Sequence, residues 1–421
     1  MRKLLALLAV LLQACASAPP PQAPDPVVVQ EAPPVVAAPK PAKPAAKPPA
    51  EALRADKLPQ FDGERIEVQD PLKGLATVDR TTPPDDLWER IRQGFAIPNL
   101  GGPLVKRKTA EYAANSEYLQ RILDRSRLYL YHIVEEIEKR NLPTELALLP
   151  MIESAFNPMA YSRARASGLW QFIPGTGRVY KLEQTWWYDE RRDVVQSTNA
   201  ALDYLTKLYE MHGDWHLALA SYNWGEGAVR RAIEKNRRAR KPTDYSSLRM
   251  PRETQHYIPK LQAVKNIIAD PKPYGIDLDP IPNKPYFEVV DATTDIDVQL
   301  AAQLADMPVA DFVALNPGFS RPLIRASGAA RIVLPADKVA TFRENLAQRG
   351  DESLVSWQIY HPRLGERLAA IAKKHNIGLA ELKRVNGIPP GSGRVPKVMV
   401  VPLDKDGAAA ALPIQYAPPG A

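Results

Sequence analysis

The sequence predicts an α+β protein: a mainly α-helical domain followed by two small modules that mix short strands with short helices. Three observations carry this reading. The chain has 421 residues, enough for two or more separate cores. From about residue 84 to 270 the apolar residues recur at helical spacing, and beyond residue 280 short alternating segments flank short helices. That second pattern occurs twice in succession.

At the N-terminus, Arg2 and Lys3 precede an unbroken apolar run from Leu4 to Leu12, then small residues around Cys15. This reads as an export signal, too short to span a bilayer. The only cysteine of the chain closes it, in Leu12-Gln13-Ala14-Cys15, a segment that resembles the lipobox of bacterial lipoproteins. Cleavage before Cys15 makes residues 1–14 a lipoprotein-type signal and leaves the Cys15 thiol for acylation. Ala16 in place of Asp then implies sorting to the outer membrane, facing the periplasm. The alternative is cleavage after Ala16-Ser17-Ala18, which discards the cysteine and leaves a soluble periplasmic protein. Residues 15–60 read as a Pro/Ala-rich linker. Twelve prolines fall between residues 19 and 50, and at ~3.1 Å per residue this polyproline-like stalk reaches on the order of 100 Å.

Asp86 reads as the N-cap of the first helix, with Glu89 placed to close a capping box. Leu119, Ile122, Leu123, Leu130, Ile133, Val134 and Ile137 keep to one face of a 3.6-residue period. Pro150 falls inside the apolar run from Leu146 to Ile152 and should bend it just before Glu153. Asp193 is placed to cap a long helix with Leu202, Leu205, Leu208 and Tyr209 inward, Gly213 to end it and Asp214 to start the next. Pro280, Pro282 and Pro285 mark a linker. Leu300-Ala301-Ala302 recurs as Leu368-Ala369-Ala370, and each unit closes on a β-rich stretch, 331–335 or 398–402. The tail from 407 to 421 is Ala/Pro-rich and has no core-forming pattern.

The net charge is +7, which suits nucleic-acid binding only in a protein that stays in the cytoplasm; an exported chain is expected to bind none. The densest basic run, Lys235 to Lys241, reads as a helix end entering a solvated loop, or else as a contact for an anionic envelope polymer. His212 and His216 stand four apart, but Gly213 interrupts the helix between them and no HExxH pattern is present, so no metal is expected.

The chemistry centres on Glu153, which ends an apolar run and is followed by Ser154-Ala155-Phe156. A carboxyl group desolvated there has a raised pKa and can hold a proton near neutral pH. Taken alone, such a glutamate reads more readily as a buried, hydrogen-bonded or ion-paired structural residue. Two further signatures lie downstream, Gly168-Leu169-Trp170-Gln171 and Ser221-Tyr222-Asn223-Trp224-Gly225. Cleaving a glycosidic bond needs a proton delivered to the leaving oxygen, usually with help from a second carboxylate. The motif segments supply none, and the nearest candidates, Asp189, Glu190 and Asp193, fall in a loop and a helix cap.

From about Asp86 to Gly275 the chain resembles the membrane-bound lytic murein transglycosylase D family, whose catalytic domain has a goose-lysozyme-like fold. The resemblance rests on Glu145-Leu146-Ala147-Leu148-Leu149-Pro150, Glu153-Ser154-Ala155-Phe156, residues 166–172, Asp189 to Asp193, residues 217–225, and residues 253–260 from Glu253 to Lys260. It implies an enzyme that cuts the β-1,4 bond between N-acetylmuramic acid and N-acetylglucosamine in peptidoglycan and leaves 1,6-anhydromuramic ends. Glu153 is then the single acid/base, the muramic C6 hydroxyl is the nucleophile, and neither a cofactor nor a second carboxylate is needed. The same resemblance assigns substrate contacts to Ser154, Gly168, Leu169, Trp170, Gln171, Tyr222, Asn223 and Tyr257. Ser154 is open to a second reading as a helix-terminus hydroxyl. Trp224 stands where the family often has a small residue.

Five of the seven tryptophans lie between residues 170 and 224. They are either sugar-stacking faces or core, with Trp170 the best candidate for stacking. The C-terminal repeats resemble lysin motifs, βααβ modules that bind N-acetylglucosamine-containing glycans. The second, 354–403, matches through Leu368, Ile371, Ala372, Leu382 and Asn386-Gly387; the first, 286–346, keeps mainly Leu315-Asn316-Pro317-Gly318. The expected whole is a cell-envelope lipoprotein with a lysozyme-like domain over 84–275, partnered by peptidoglycan glycan strands and by a membrane through Cys15. Its rivals are a muramidase that admits water and a catalytically silent wall-binding lipoprotein.

Overall fold

A computed structural model describes residues 84–326 and 330–403. The signal, Cys15, the linker and the 407–421 tail lie outside the described residues. The fold class is α+β. Ten α-helices come first among the described residues: α1 (Leu87–Gln93), α2 (Pro103–Ala113), α3 (Ser116–Ser126), α4 (Leu130–Lys139), α5 (Leu149–Glu153), α6 (Pro174–Val179), α7 (Val194–His212), α8 (Trp215–Trp224), α9 (Glu226–Arg238) and α10 (Arg252–Ala269). No single described helix is long and apolar enough to cross a membrane.

The periodic face from Leu119 to Ile137 is divided between two helices. Ser126 to Tyr129 makes a turn, with the Ser126 hydroxyl donating to the Leu123 carbonyl, 2.6 Å, and the Tyr129 amide to the Ser126 carbonyl, 2.9 Å. The turn keeps all seven apolar side chains buried in one core. Each such side chain contributes roughly 1.5–3 kcal/mol through burial, so packing outweighs the local break. Asp193 and Asp214 cap α7 and α8 by accepting from Gln196 N and Leu217 N, 2.8 Å each. Gly213 ends α7 in the left-handed region, φ +63°, where a side chain would be strained. Asp86 caps α1, but Glu89 does not close a capping box: its carboxylate accepts from Arg92 and Gln93 instead. Tyr209 is not inward; it is 38% exposed and stacks on Trp215 at 4.4 Å.

The segment before Glu153 shows what Pro150 does. Residues Thr144–Leu148 form a 3-10 turn and α5 follows, with Pro150 in its first turn, where the missing amide costs nothing. Thr144 to Met151 are all buried, including Glu145, whose carboxylate accepts from Ala96 N (3.0 Å) and Ile97 N (2.8 Å) and pairs with Lys265 Nζ at 2.8 Å. That ion pair ties the run to both α10 and the loop after α1.

The C-terminal part repeats one plan. The first unit contains β1 (Phe287–Asp291), β2 (Ile296–Asp297), α11 (Val298–Leu304), α12 (Val309–Leu315), β3 (Leu323–Ile324) and β4 (Arg331–Pro335), followed by α13 (Val339–Gln348). The second contains β5 (Trp357–Tyr360), α14 (Leu368–Lys374), α15 (Leu379–Val385) and β6 (Met399–Pro402). The strands pair antiparallel, Phe287 opposite Pro335 and Trp357 opposite Pro402. Asn316 and Asn386 hold equivalent places. Each buried amide donates to the carbonyl four residues back and to one strand carbonyl, Val333 or Val400, and accepts from that same residue's amide at 2.7–2.8 Å. An asparagine here joins the second helix to the closing strand, so the repeated residue is structural.

The first unit is fastened to the helical domain. Asp189 N donates to Gly318 O (2.9 Å), Ser320 N to Trp187 O (2.8 Å), and the Tyr129 hydroxyl to Ala314 O (2.8 Å). Trp357, Leu323, Val385 and Val400 form a small core with Trp186 and Trp187 packed against it, which brings the second unit to the same junction.

Candidate active site

Glu153 is the last residue of α5, and the chain reverses immediately after it. Ala155 and Phe156 both have left-handed backbones, φ +53° and +51°, conformations that non-glycine residues adopt at a cost and that gather at functional sites. The reversal is over-determined. Pro150 O accepts from Ser154 N and Phe156 N at 3.1 and 3.0 Å, and the Phe156 ring is fully buried, stacked on Tyr129. Glu153 is thereby held at the floor of a cleft of about 530 Å³.

The cleft gathers residues from four separate stretches: Glu153, Gln171, Tyr222 with Asn223 and Trp224, and Tyr257. The Tyr257 hydroxyl donates to Glu153 Oε1. Burial pushes the Glu153 carboxyl up from the usual 4.5 to about 7; the Tyr257 hydrogen bond and Lys260 pull the other way, and Glu253 adds to the rise. Burial also raises Tyr222 and Tyr257 well above the ordinary phenol value, so both remain protonated donors at neutral pH. The Tyr222 hydroxyl donates to Trp170 O at 2.8 Å, not to Glu153. Asn223 accepts from the Thr254 hydroxyl at 2.8 Å, which ties α8 to α10.

The other expected contact residues stand behind the cleft. Trp170 is fully buried and its indole N–H donates to Thr198 Oγ1 at 3.0 Å; it fills the core, and no face is open for a sugar. Leu169 is fully buried too. The Ser154 hydroxyl shares its one hydrogen between Leu169 O at 3.0 Å and Pro150 O at 3.2 Å, so it joins two motif segments without touching Glu153. Gly168 has φ +83°, and a Cβ there would lie 2.0 Å from Arg191 O. Its close approach is to the protein's own backbone. Gln171 also has a left-handed backbone, φ +49°. Its Nε2 donates to Gly168 O (2.8 Å) and Ala160 O (3.3 Å), so the amide shapes its own loop while the residue lines the cleft.

Of the carboxylates considered beside Glu153, none lines its cleft. Asp189 is locked in a buried pair with Arg191 at 2.7 Å, and Asp193 accepts from the Tyr188 hydroxyl at 2.5 Å while capping α7. Glu190 accepts from Glu183 N at 2.6 Å. The carboxylate that does share the cleft is Glu253, at its exposed rim, with Lys260 beside it. Sequence reasoning passed over both, although 253, 257 and 260 recur at the i, i+4, i+7 spacing of one helical face. His212 and His216 diverge, to Ser221 Oγ and Pro98 O, and among the described residues no group of three or more His, Cys, Asp or Glu could hold a metal.

A helical domain with a glutamate of raised pKa in such a cleft suits a transglycosylase, and the family model described as "Transglycosylase SLT domain" matches residues 131–244. The model described as "Lytic transglycosylase MltD, LysM-like domain" matches residues 286–350. The chain is 35% identical over 315 residues to membrane-bound lytic murein transglycosylase D of Escherichia coli strain K12, covering 72% of this chain and 70% of that protein. The same figures hold for the Escherichia coli O6:H1 protein of that name. Membrane-bound lytic murein transglycosylase C of Pectobacterium atrosepticum is 30% identical over 168 residues, 36% of this chain and 47% of that one. The chain belongs to the lytic murein transglycosylase D family and is a peptidoglycan lytic transglycosylase.

Proposed function

We propose that Glu153 is the single proton donor and acceptor of this enzyme, acting on the bond between N-acetylmuramic acid and the next N-acetylglucosamine. The protonated carboxyl delivers its proton to the glycosidic oxygen, the bond from C1 to that oxygen breaks, and the electron pair leaves with the N-acetylglucosamine. The Glu153 carboxylate then takes the proton of the muramic C6 hydroxyl as O6 bonds to C1. The products are a free hydroxyl on one fragment and a 1,6-anhydro ring on the other, and no water is consumed. Tyr257 holds one Glu153 oxygen in place and steadies the carboxylate once it forms. Gln171, Tyr222 and Asn223 shape the walls.

The observation that carries this reading is a carboxyl group set in the cleft, its pKa raised by burial to about 7, whose hydrogen-bond donor among the described residues is a tyrosine. A group that must give and then take a proton works best with a pKa near the working pH. The oxygen of the substrate's own alcohol is tethered to the reacting carbon, so proximity replaces a base-activated water.

Digestion of purified peptidoglycan followed by mass spectrometry of the muropeptides is the test. Ends lighter by one water are expected from the native protein, and Glu153→Gln should yield almost none. Reducing ends instead would mean hydrolysis.

The family places the enzyme in the cell envelope, and the finer location goes with this reading: a lipoprotein acylated at Cys15, in the outer membrane, facing the periplasm. Residues 84–275 are the catalytic domain, and 286–346 and 354–403 are lysin-motif-like accessory modules. Replacing Cys15 by Ala should shift the protein from the membrane fraction to the soluble one; an unchanged distribution would remove the anchor.

A further inference from the structure

Away from the cleft, a cavity of about 290 Å³ opens between the helical domain and the first C-terminal unit. Its walls are held in register. Tyr188 and Phe319 pair as a short antiparallel bridge with rings 4.9 Å apart, and the buried Arg192 guanidinium donates to Ser320 Oγ at 2.6 Å. A Cβ on Gly318 would meet the Tyr188 ring at 2.6 Å, so the approach of the two walls here requires glycine.

Both signs of charge face this space. Glu183 and Glu190 stand on the helical-domain side, Arg325 and Arg331 on the other, and no ion pair joins them among the described residues. Glu190 uses one oxygen on Glu183 N, and burial raises its pKa. Arg325 lies over the Trp187 ring, 5.2 Å from its centroid, and its buried Nε–H has no acceptor among the described residues. A buried guanidinium donor left unpaired is costly. Opposed charges held apart across a gap invite a ligand that carries both.

We propose that this junction binds a zwitterionic peptide, its carboxylate on Arg325 and Arg331 and its ammonium on Glu190 and Glu183. Resting on the peptidoglycan reading above, the ligand class is the short stem peptide borne by muramic acid, which has free carboxylates and a free amino group. The enzyme would then read the peptide at a site separate from the one that cuts the glycan.

Titration calorimetry of the full chain with the free tripeptide L-Ala-γ-D-Glu-diaminopimelate tests this, alongside a copy of the peptide amidated at its carboxylates and acetylated at its amines. The native protein should bind the free peptide one to one with a change in tryptophan fluorescence, and the blocked peptide should not bind. Arg331→Ala, at an exposed position, and Arg325→Lys should each weaken binding about tenfold or more. Glu153→Gln should bind the peptide like the native protein. Absence of saturable binding, native-like binding by both arginine variants, or loss of binding in Glu153→Gln would each overturn the proposal. If Glu153→Gln still cleaved glycan, the catalytic reading would fall while the peptide measurements stood by themselves.

Discussion

Glu145 and Glu153 lie eight residues apart, one inside a buried stretch and one just past its end, and meet opposite fates. Glu145 is 1% exposed and receives two backbone amides and a lysine ammonium, so its charge is fully compensated and it works as a clamp between α10, the 3-10 turn and the loop after α1. Glu153 receives one tyrosine hydroxyl and is left with a pKa of about 7. The difference lies in the partners. Burial with a full set of donors makes a carboxylate structural, and burial with too few makes it an acid.

The sharpest way to break this contrast is to exchange functions. Glu153→Gln should lower turnover by about 10²–10⁴-fold while the protein stays folded; an active variant would remove Glu153 from the chemistry. Glu145→Gln should do the reverse. It strands Lys265 in the core at a cost of about 3–5 kcal/mol in stability, read by denaturant unfolding, and the fraction that remains folded should keep its kcat. A Glu145 variant as stable as the native protein would show that the clamp does not matter.

A smaller effect appears in the pH dependence of stability. The folded state holds the Glu153 proton up to about pH 7 whereas the unfolded chain releases it near 4.5, so ionising Glu153 costs stability as pH rises between those values. At about 1.4 kcal/mol per pH unit the cost is on the order of 3 kcal/mol. Glu153→Gln should match the native protein below pH 4.5 and be more stable above pH 7. Equal stability at both ends would mean the carboxyl is not desolvated. The smallest expected effect is that of Tyr257→Phe. Its hydroxyl favours the carboxylate, so losing it should move the alkaline limb of kcat/KM upward from about 7 and lower kcat by about tenfold. A pH profile that stays in place would argue that Tyr257 only packs.

The residues differ in how much of this was legible in the sequence. The caps at Asp86, Asp193 and Asp214 and the stop at Gly213 were readable because each acts on amides within a few residues. Glu89 was misleading for the same local reason: a capping-box pattern competes with any nearby arginine, and Arg92 won. Tryptophan content left stacking and core both open, and Trp170, the best candidate for stacking, is core, because an indole beside a buried Thr198 hydroxyl satisfies its N–H inside the domain. Glu253 was missed because attention to motif spacing left out helical phase. The charged junction at Glu190 and Arg325 joins residues far apart in the chain and had no local signal at all.

By itself the sequence determined the helical periodicity, the caps, the twofold βααβ plan and the order of the motifs, because each is written in contacts between residues close along the chain. Which partners each of the two glutamates receives was decided only in three dimensions. Lys265 and Tyr257 lie eight residues apart on α10, and the packing of that one helix against α5 and the turn before it gives Glu145 an ion pair and Glu153 a hydroxyl as its direct partner, with Lys260 acting on Glu153 without an ion pair.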